Sequence, residues 1–187
     1  MLKNIQVVPS TLNDIEQIFE LYDAAIAYQK TVFHKHWQGF ERSLIERELS
    51  EQRQWKILID GQIACIFAID FNDPLIWKEK DADPSIYLHR IVTNPKFRGA
   101  SFVNEIVEWA KVFAAGKGKE YIRMDTWGDN PRLIAYYVKC GFSYLGNIIP
   151  TASSILPKHY ENIELALFEI PIEEKQFLEG KQSLEEK

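Results

Sequence analysis

The run Ile91-Val92-Thr93-Asn94-Pro95-Lys96-Phe97-Arg98-Gly99-Ala100-Ser101-Phe102-Val103 reads as a strand end, a tight loop and a helix start in immediate succession. The first turn of a helix leaves backbone N–H groups without intrahelical partners, and the helix dipole adds positive potential there. Such a turn suits a pyrophosphate, and Arg98 adds a charged donor. The same residues would also make an ordinary strand-to-helix turn with a surface arginine. Other chemistries are poorly represented. There is no Gly-x-Ser-x-Gly nucleophile turn, no phosphate-binding P-loop, and no Gly-x-Gly-x-x-Gly at a first βα turn. His34 and His36 alternate in a loop, a pattern that is more often surface than ligand, so no metal is expected. Cys65 and Cys140 stand far apart; Cys140, beside Gly141 and with no base placed next to it, reads as packing rather than as a nucleophile.

The elements that must position these residues follow from periodicity. Ile5–Val8 predicts a strand, and Ser10 to Asp14 carries helix-start chemistry. Apolar residues at helical spacing from Leu12 to Ile26 predict a helix to about Tyr28, and a second, largely polar helix is expected from about Phe40 to Glu51. Asp60-Gly61, between the runs 55–59 and 62–69, predicts a hairpin. Phe71 to Pro84 reads as a polar connection. Then come a strand (85–93), a helix (101–115), a strand (121–126), a helix (130–139) closed at Gly141, and two strands at about 143–148 and 163–170. The order βααββ, βαβα, ββ mixes hairpins with one right-handed crossover. It predicts an α/β (α+β mixed) architecture, a mixed and mostly antiparallel central sheet with helices on both faces.

The chain has 187 residues, of which 46% are hydrophobic, so residues 1–172 are expected to form a single domain with its own core. Residues 173–187 are charge-rich and read as a tail. Lys plus Arg count 22 against 27 Asp plus Glu, a net charge of −5 that argues against a general nucleic-acid or polybasic membrane surface. No run approaches a membrane span of about 20 residues, and no signal-peptide pattern opens the chain, so a soluble, cytoplasmic protein is expected.

The stretch 91–103 resembles motif A of the GCN5-related N-acetyltransferase (GNAT) superfamily, whose loop reads Arg or Gln, two free positions, Gly, one free position, then Gly or Ala. Arg98 takes the first position, Ser101 the first glycine and Val103 the last, with Pro95, Phe97 and Gly99 also well matched. Asn130-Pro131 followed by a Tyr-bearing helix and Gly141-Phe142 is similar to the family's motif B. The resemblance implies the GNAT fold and transfer of an acetyl group from acetyl-CoA to a small-molecule or peptide amine. Protein N-terminal or lysine acetylation is a rival within the enzyme class. A non-catalytic module that binds CoA weakly or not at all is the rival outside it. Dimers are common in the family, so a homodimer is one assembly it suggests.

By this resemblance Ile91, Val92 and Thr93 would pair with the pantetheine arm, and Arg98, Gly99, Ala100, Ser101, Phe102 and Val103 would cradle the pyrophosphate. Tyr137 would meet the departing sulfur, and Asn130 would contact the cofactor arm while capping its own helix. Strand alternation would put Tyr87 and His89 on the face of Ile91, making His89 a candidate general base, with Glu105 and Asp125 as weaker alternatives. Phe33, His36, Trp37, Tyr87 and His159 are candidates for contact with the acceptor. Val103 carries a branched Cβ where the family keeps a bare backbone, so it must point away or widen the loop, and Val103→Gly is expected to tighten CoA binding by restoring close backbone approach.

Overall fold

The computed structural model describes residues 4–33, 35–150 and 163–172; His34, His159 and the tail from Glu173 lie outside them. The described chain has seven strands: β1 (Ile5–Pro9), β2 (Gln54–Ile59), β3 (Gln62–Asp70), β4 (Ser85–Thr93), β5 (Tyr121–Trp127), β6 (Ser143–Ile148) and β7 (Leu165–Pro171). Its helices are α1 (Ile15–Val32), α2 (Arg42–Ser50), α3 (Pro74–Trp77), α4 (Phe102–Gly116) and α5 (Pro131–Lys139). The strands form one sheet in the order β1-β2-β3-β4-β5-β7-β6. β1–β2, β2–β3, β5–β7 and β6–β7 pair antiparallel, and β4–β5, joined through α4, pair parallel. This is the mixed, mostly antiparallel sheet expected from the element order. Among the described residues no helix is long and apolar enough to cross a membrane.

Two compact units divide the described chain, one containing residues up to Ile69 with Arg90–Phe102, the other Asp70–His89 with the residues from Val103 on. In the first unit, Asp60-Gly61 turns the β2–β3 hairpin, with both residues at positive φ (49° and 80°) as such a turn requires. Ile15, Ile18, Leu21 and Tyr22 of α1 pack with Ile45 and Leu49 of α2, Ile63 and Ile66 of β3, and Val92. Asp14 fastens the start of α1. Its carboxylate accepts from the Thr11 N–H at 2.7 Å and pairs with Lys56 of β2 at 2.6 Å. Burial pushes the Asp14 carboxyl up, but those bonds outweigh it and hold its pKa below the ordinary value.

In the second unit, the connection 71–84 differs from the expected loop. Pro74 at the first helical turn opens the short helix α3, and a 3-10 turn follows over Lys78–Ala82. Arg123 of β5 fastens it. That side chain is fully buried, donates to the Lys80 carbonyl, and pairs with Asp83 at 2.6 Å and Glu169 of β7 at 2.7 Å. Its guanidinium also lies over the rings of Trp77 (4.8 Å) and Tyr121 (4.7 Å). Burial works against its charge, yet these partners raise its pKa further above the ordinary value.

Candidate active site

The parallel pairing of β4 with β5 runs from Ser85↔Tyr121 to Leu88↔Met124 and stops there. The next residue on each strand is His89 and Asp125. Asp73, the residue before α3, completes a group of three whose side-chain ring nitrogen and carboxyl oxygens all lie within 4.8 Å of one another. The His89 Nε2 is 4.0 Å from an Asp73 oxygen, with both side chains largely shielded (21% and 15% exposed). Burial, together with the carboxylates of Asp125, Asp81 and Asp70, pushes the Asp73 carboxyl up to about 8. An imidazole beside such a carboxyl can take up and hand on a proton near neutral pH.

One residue on, Arg90 has φ +49°, a left-handed conformation that a non-glycine side chain adopts only when its surroundings enforce it. The enforcement is ionic. Arg90 Nη2 reaches both oxygens of the buried Glu48 at 2.6 Å, and its Nε donates to the Tyr22 hydroxyl at 3.3 Å. Gln54 Nε2, at 2.9 Å from both Glu48 and Tyr22, closes the network. A left-handed residue inside a strand breaks the period-two alternation. Ahead of that residue Tyr87 meets Trp77 of α3 and His89 meets Asp73 at the start of α3, as alternation expects for 87 and 89.

Tyr87 is a further departure. It has no exposed surface, packs at a tilt against Trp77 with ring centroids 5.7 Å apart, and belongs to the apolar cluster of Ile76, Trp77, Ile163, Leu165 and Leu167. Its hydroxyl lies near Asp81, Ser85 and Arg123 without a hydrogen bond of good geometry, and burial raises it to about 12. The ring is core, and nothing of it is left to face an acceptor.

After β4 the chain turns on Asn94. Its side chain donates to the Ile63 carbonyl at 2.7 Å and accepts from the Lys96 N–H at 3.0 Å, tying the turn to β3. Ile91 and Thr93 are half-buried and Val92 is buried. Gly99 sits at φ +93°, a conformation that suits glycine, with open space where a Cβ would be. Gly99, Ala100 and Ser101 are all exposed and small, and Arg98 lies over the Tyr28 ring of α1 at 4.5 Å. Phe102 and Val103 are both buried, at 3% and 5% exposure. Val103 thus turns inward, which resolves the question its branched Cβ raised; the idea that it widens the loop is corrected.

Asn130 caps α5, its side-chain oxygen accepting from the Leu133 N–H at 3.1 Å, and Pro131 occupies the first turn. Gly141 at φ +99° ends the helix, and the Phe142 N–H returns to the Tyr137 carbonyl. Tyr137 is half-buried, its ring 5.4 Å from Phe168 of β7 and 6.1 Å edge-on to Phe142. Packing on both sides fixes the ring and leaves the phenol as its polar end.

A profile of the Acetyltransferase (GNAT) family matches residues 15–142, more than half of the chain. The chain belongs to the GNAT family of acetyltransferases. It is 28% identical over 74 residues to the uncharacterized N-acetyltransferase YesJ of Bacillus subtilis, a match that spans 40% of this chain and 41% of that protein. Its fold is similar to that of a GNAT-family acetyltransferase from Listeria monocytogenes, with TM-score 0.71 at 20% identity over 89% of this chain and 94% of that one. A structure of yncA, a Salmonella typhimurium protein solved with acetyl-CoA, superposes with TM-score 0.64 at 10% identity over 91% and 95% of the two chains.

The GNAT assignment leaves the surroundings of the site to this chain's own residues. From the loop after α1, Trp37 and Phe40 pack on Tyr22, and Phe40 lies 5.3 Å beneath the Arg90 guanidinium. Trp37 N–H is held by Gln29, and His36 Nδ1 lies 2.8 Å from the Trp37 carbonyl. Phe33, which ends α1, is half-buried. Glu105, a weaker candidate base, is exposed on α4. Two pairings escaped the sequence reading, one in each unit. Asp73 was hidden in a connection read as loop, though Asp-Pro is a helix-opening pair. Glu48 faces Arg90 from 42 residues away, with no local sign of the pairing.

Proposed function

We propose that this acetyltransferase moves the acetyl group of acetyl-CoA directly to the amine of a small-molecule or peptide acceptor. The observation that carries the reading is the parting of β4 and β5 after Leu88 and Met124, which leaves His89 at the opening and residues 91–93 just beyond it. The small exposed run Gly99, Ala100 and Ser101, ahead of α4, fits a pyrophosphate, because no large side chain stands over the backbone there. Bound acetyl-CoA would supply an activated thioester; Arg98 and the 99–101 backbone would hold its phosphates and Ile91 to Thr93 its arm.

An alkyl amine of pKa about 10.4 is only about 0.04% neutral at pH 7, so its deprotonation costs roughly 4.6 kcal/mol. His89 takes that proton as the nitrogen attacks the carbonyl carbon. A backbone N–H near Ile91 or Val92 faces the oxygen on which charge develops. Tyr137 donates a hydrogen bond to the departing sulfur; full proton transfer from a phenol near 10 to a thiolate near 8.5 would be uphill by about 2 kcal/mol, so stabilisation is the role assigned. Phe33, His36 and Trp37 wall the acceptor side, and no metal takes part.

Calorimetric titration with acetyl-CoA, with NADH and ATP as controls, followed by an amine panel, tests this reading. Selective micromolar binding and acetylation of at least one amine are expected. Absence of binding would refute it and favour a non-catalytic GNAT-fold module.

A further inference from the structure

Resting on the reading of His89 as the base, we propose that Asp73 is its positioning residue, holding the imidazole at the opening between β4 and β5 and balancing the positive charge it gains. The geometry carries this. The Asp73 carboxylate is 4.0 Å from His89 Nε2, and both side chains are largely shielded from water. Asp73 is not free to wander. Its N–H donates to the Asp81 carboxylate at 2.6 Å, and its carbonyl accepts from the N–H groups of Ile76 and Trp77. Trp77 and Lys80 in turn are fastened to Arg123. The aspartate therefore arrives on a rigid mount although it belongs to a connecting segment.

The balance of the step is simple. As the N–C bond forms and the C–S bond breaks, the proton of the attacking nitrogen moves to His89, and the electron pair of the C–S bond leaves with sulfur. The resulting imidazolium is shielded from water, where an opposite charge at about 4 Å matters more than in bulk solvent. The groups facing Asp73 are His89 from β4, Asp125 from β5, Asp81 from the 3-10 turn, Asp70 from the end of β3, and the Ile76 N–H from α3. With three other carboxylates around it, Asp73 keeps its proton up to about pH 8 and can offset an imidazolium only once it is lost.

The test compares Asp73→Asn, which retains the backbone contacts, with Asp73→Glu, which retains the charge. For an alkylamine acceptor, Asp73→Asn is expected to lower kcat by roughly 10- to 100-fold, part of the about 10²–10⁴ a positioned base supplies, with KM for acetyl-CoA unchanged. The inflection near pH 8 in the wild-type profile disappears, and Asp73→Glu restores part of the rate. An undiminished kcat, or an unmoved pH profile, would overturn the proposal. So would loss of activity to EDTA with recovery on adding zinc. NMR titration of the His89 ring needs no acceptor: the wild-type ring should report the ionisation of the neighbouring carboxyl near pH 8, and that step should be absent in Asp73→Asn. An unchanged curve overturns the pairing even if no amine is acetylated, a result that would count separately against the function.

Discussion

Removing the carboxylate of Glu48 should cost the first unit heavily, and the reason lies with Arg90. The Glu48 side chain is 4% exposed, meets Arg90 through both oxygens at 2.6 Å, and has Arg53 at 3.8 Å. Burial works against the Arg90 charge, but Tyr22 and Glu48 push its pKa well above the ordinary value. Glu48→Gln leaves the guanidinium 17% exposed without its counter-charge. Orphaning one member of a buried pair costs about 3–5 kcal/mol, and the lower end applies because glutamine keeps one acceptor oxygen. At about 2–4 °C per kcal/mol for a chain of this size, about 3 kcal/mol corresponds to a Tm loss of roughly 6–12 °C. Differential scanning calorimetry reads the loss directly, and acetyl-CoA titration of the same variant should show weakened binding, because Ile91 to Thr93 follow the left-handed residue. The double variant Glu48→Leu, Arg90→Gly removes both charges and accepts φ +49° without strain, so it should melt above Glu48→Gln. A Tm loss below about 2 °C in Glu48→Gln, or a double variant less stable than it, would refute the idea that the pair enforces the backbone at Arg90.

Three other outcomes are expected. Tyr137→Phe keeps the ring contacts with Phe142 and Phe168, so Tm should move by less than about 2 °C, while the acetylation rate falls about 10-fold, the equivalent of one hydrogen bond of about 1.4 kcal/mol, at unchanged acetyl-CoA affinity; an unchanged rate would remove Tyr137 from the chemistry. Val103→Gly should destabilise by about 2–4 kcal/mol in a denaturant melt, since it deletes buried methyl groups and puts glycine in the first turn of α4, and it should not tighten acetyl-CoA binding; tighter binding would show the valine facing the cofactor after all. Cys65 is wholly buried and desolvation raises its thiol to about 12, so a thiol reagent at pH 8 should label the half-buried Cys140 and spare Cys65 until the protein unfolds. Two labelled thiols per native chain would contradict that burial.

The elements that the sequence made legible are those whose cues are local. Asp60-Gly61 declared a hairpin, Asn94-Pro95 a strand end, and Asn130-Pro131 with Gly141 the two ends of α5, because each is a demand of backbone geometry on neighbouring residues. What stayed hidden depends on partners distant in the chain. The left-handed φ of Arg90, where Glu48 and Tyr22 hold the side chain, has no local sign in the strand sequence. Tyr87 looked like an acceptor contact because its type and place suited one, and only the packing of Trp77 and Arg123 shows it to be enclosed. The polar run 71–84 reads as loop by composition, yet α3 forms there, with Ile76 and Trp77 buried in an apolar cluster and Lys78 in a left-handed turn behind them. Asp73 could be named as a loop aspartate but not as a neighbour of His89.

The Arg123 anchorage has a consequence for how such a chain can diversify. The rear of the connection, through Trp77, Lys80 and Asp83, is moored to a single buried cation, whereas its front end carries Asp73 to His89. Mooring and function are thus separated within about a dozen residues. Substitutions at the front can change what surrounds His89 while the attachment stays intact, so the segment behaves as an exchangeable cassette plugged into a fixed socket.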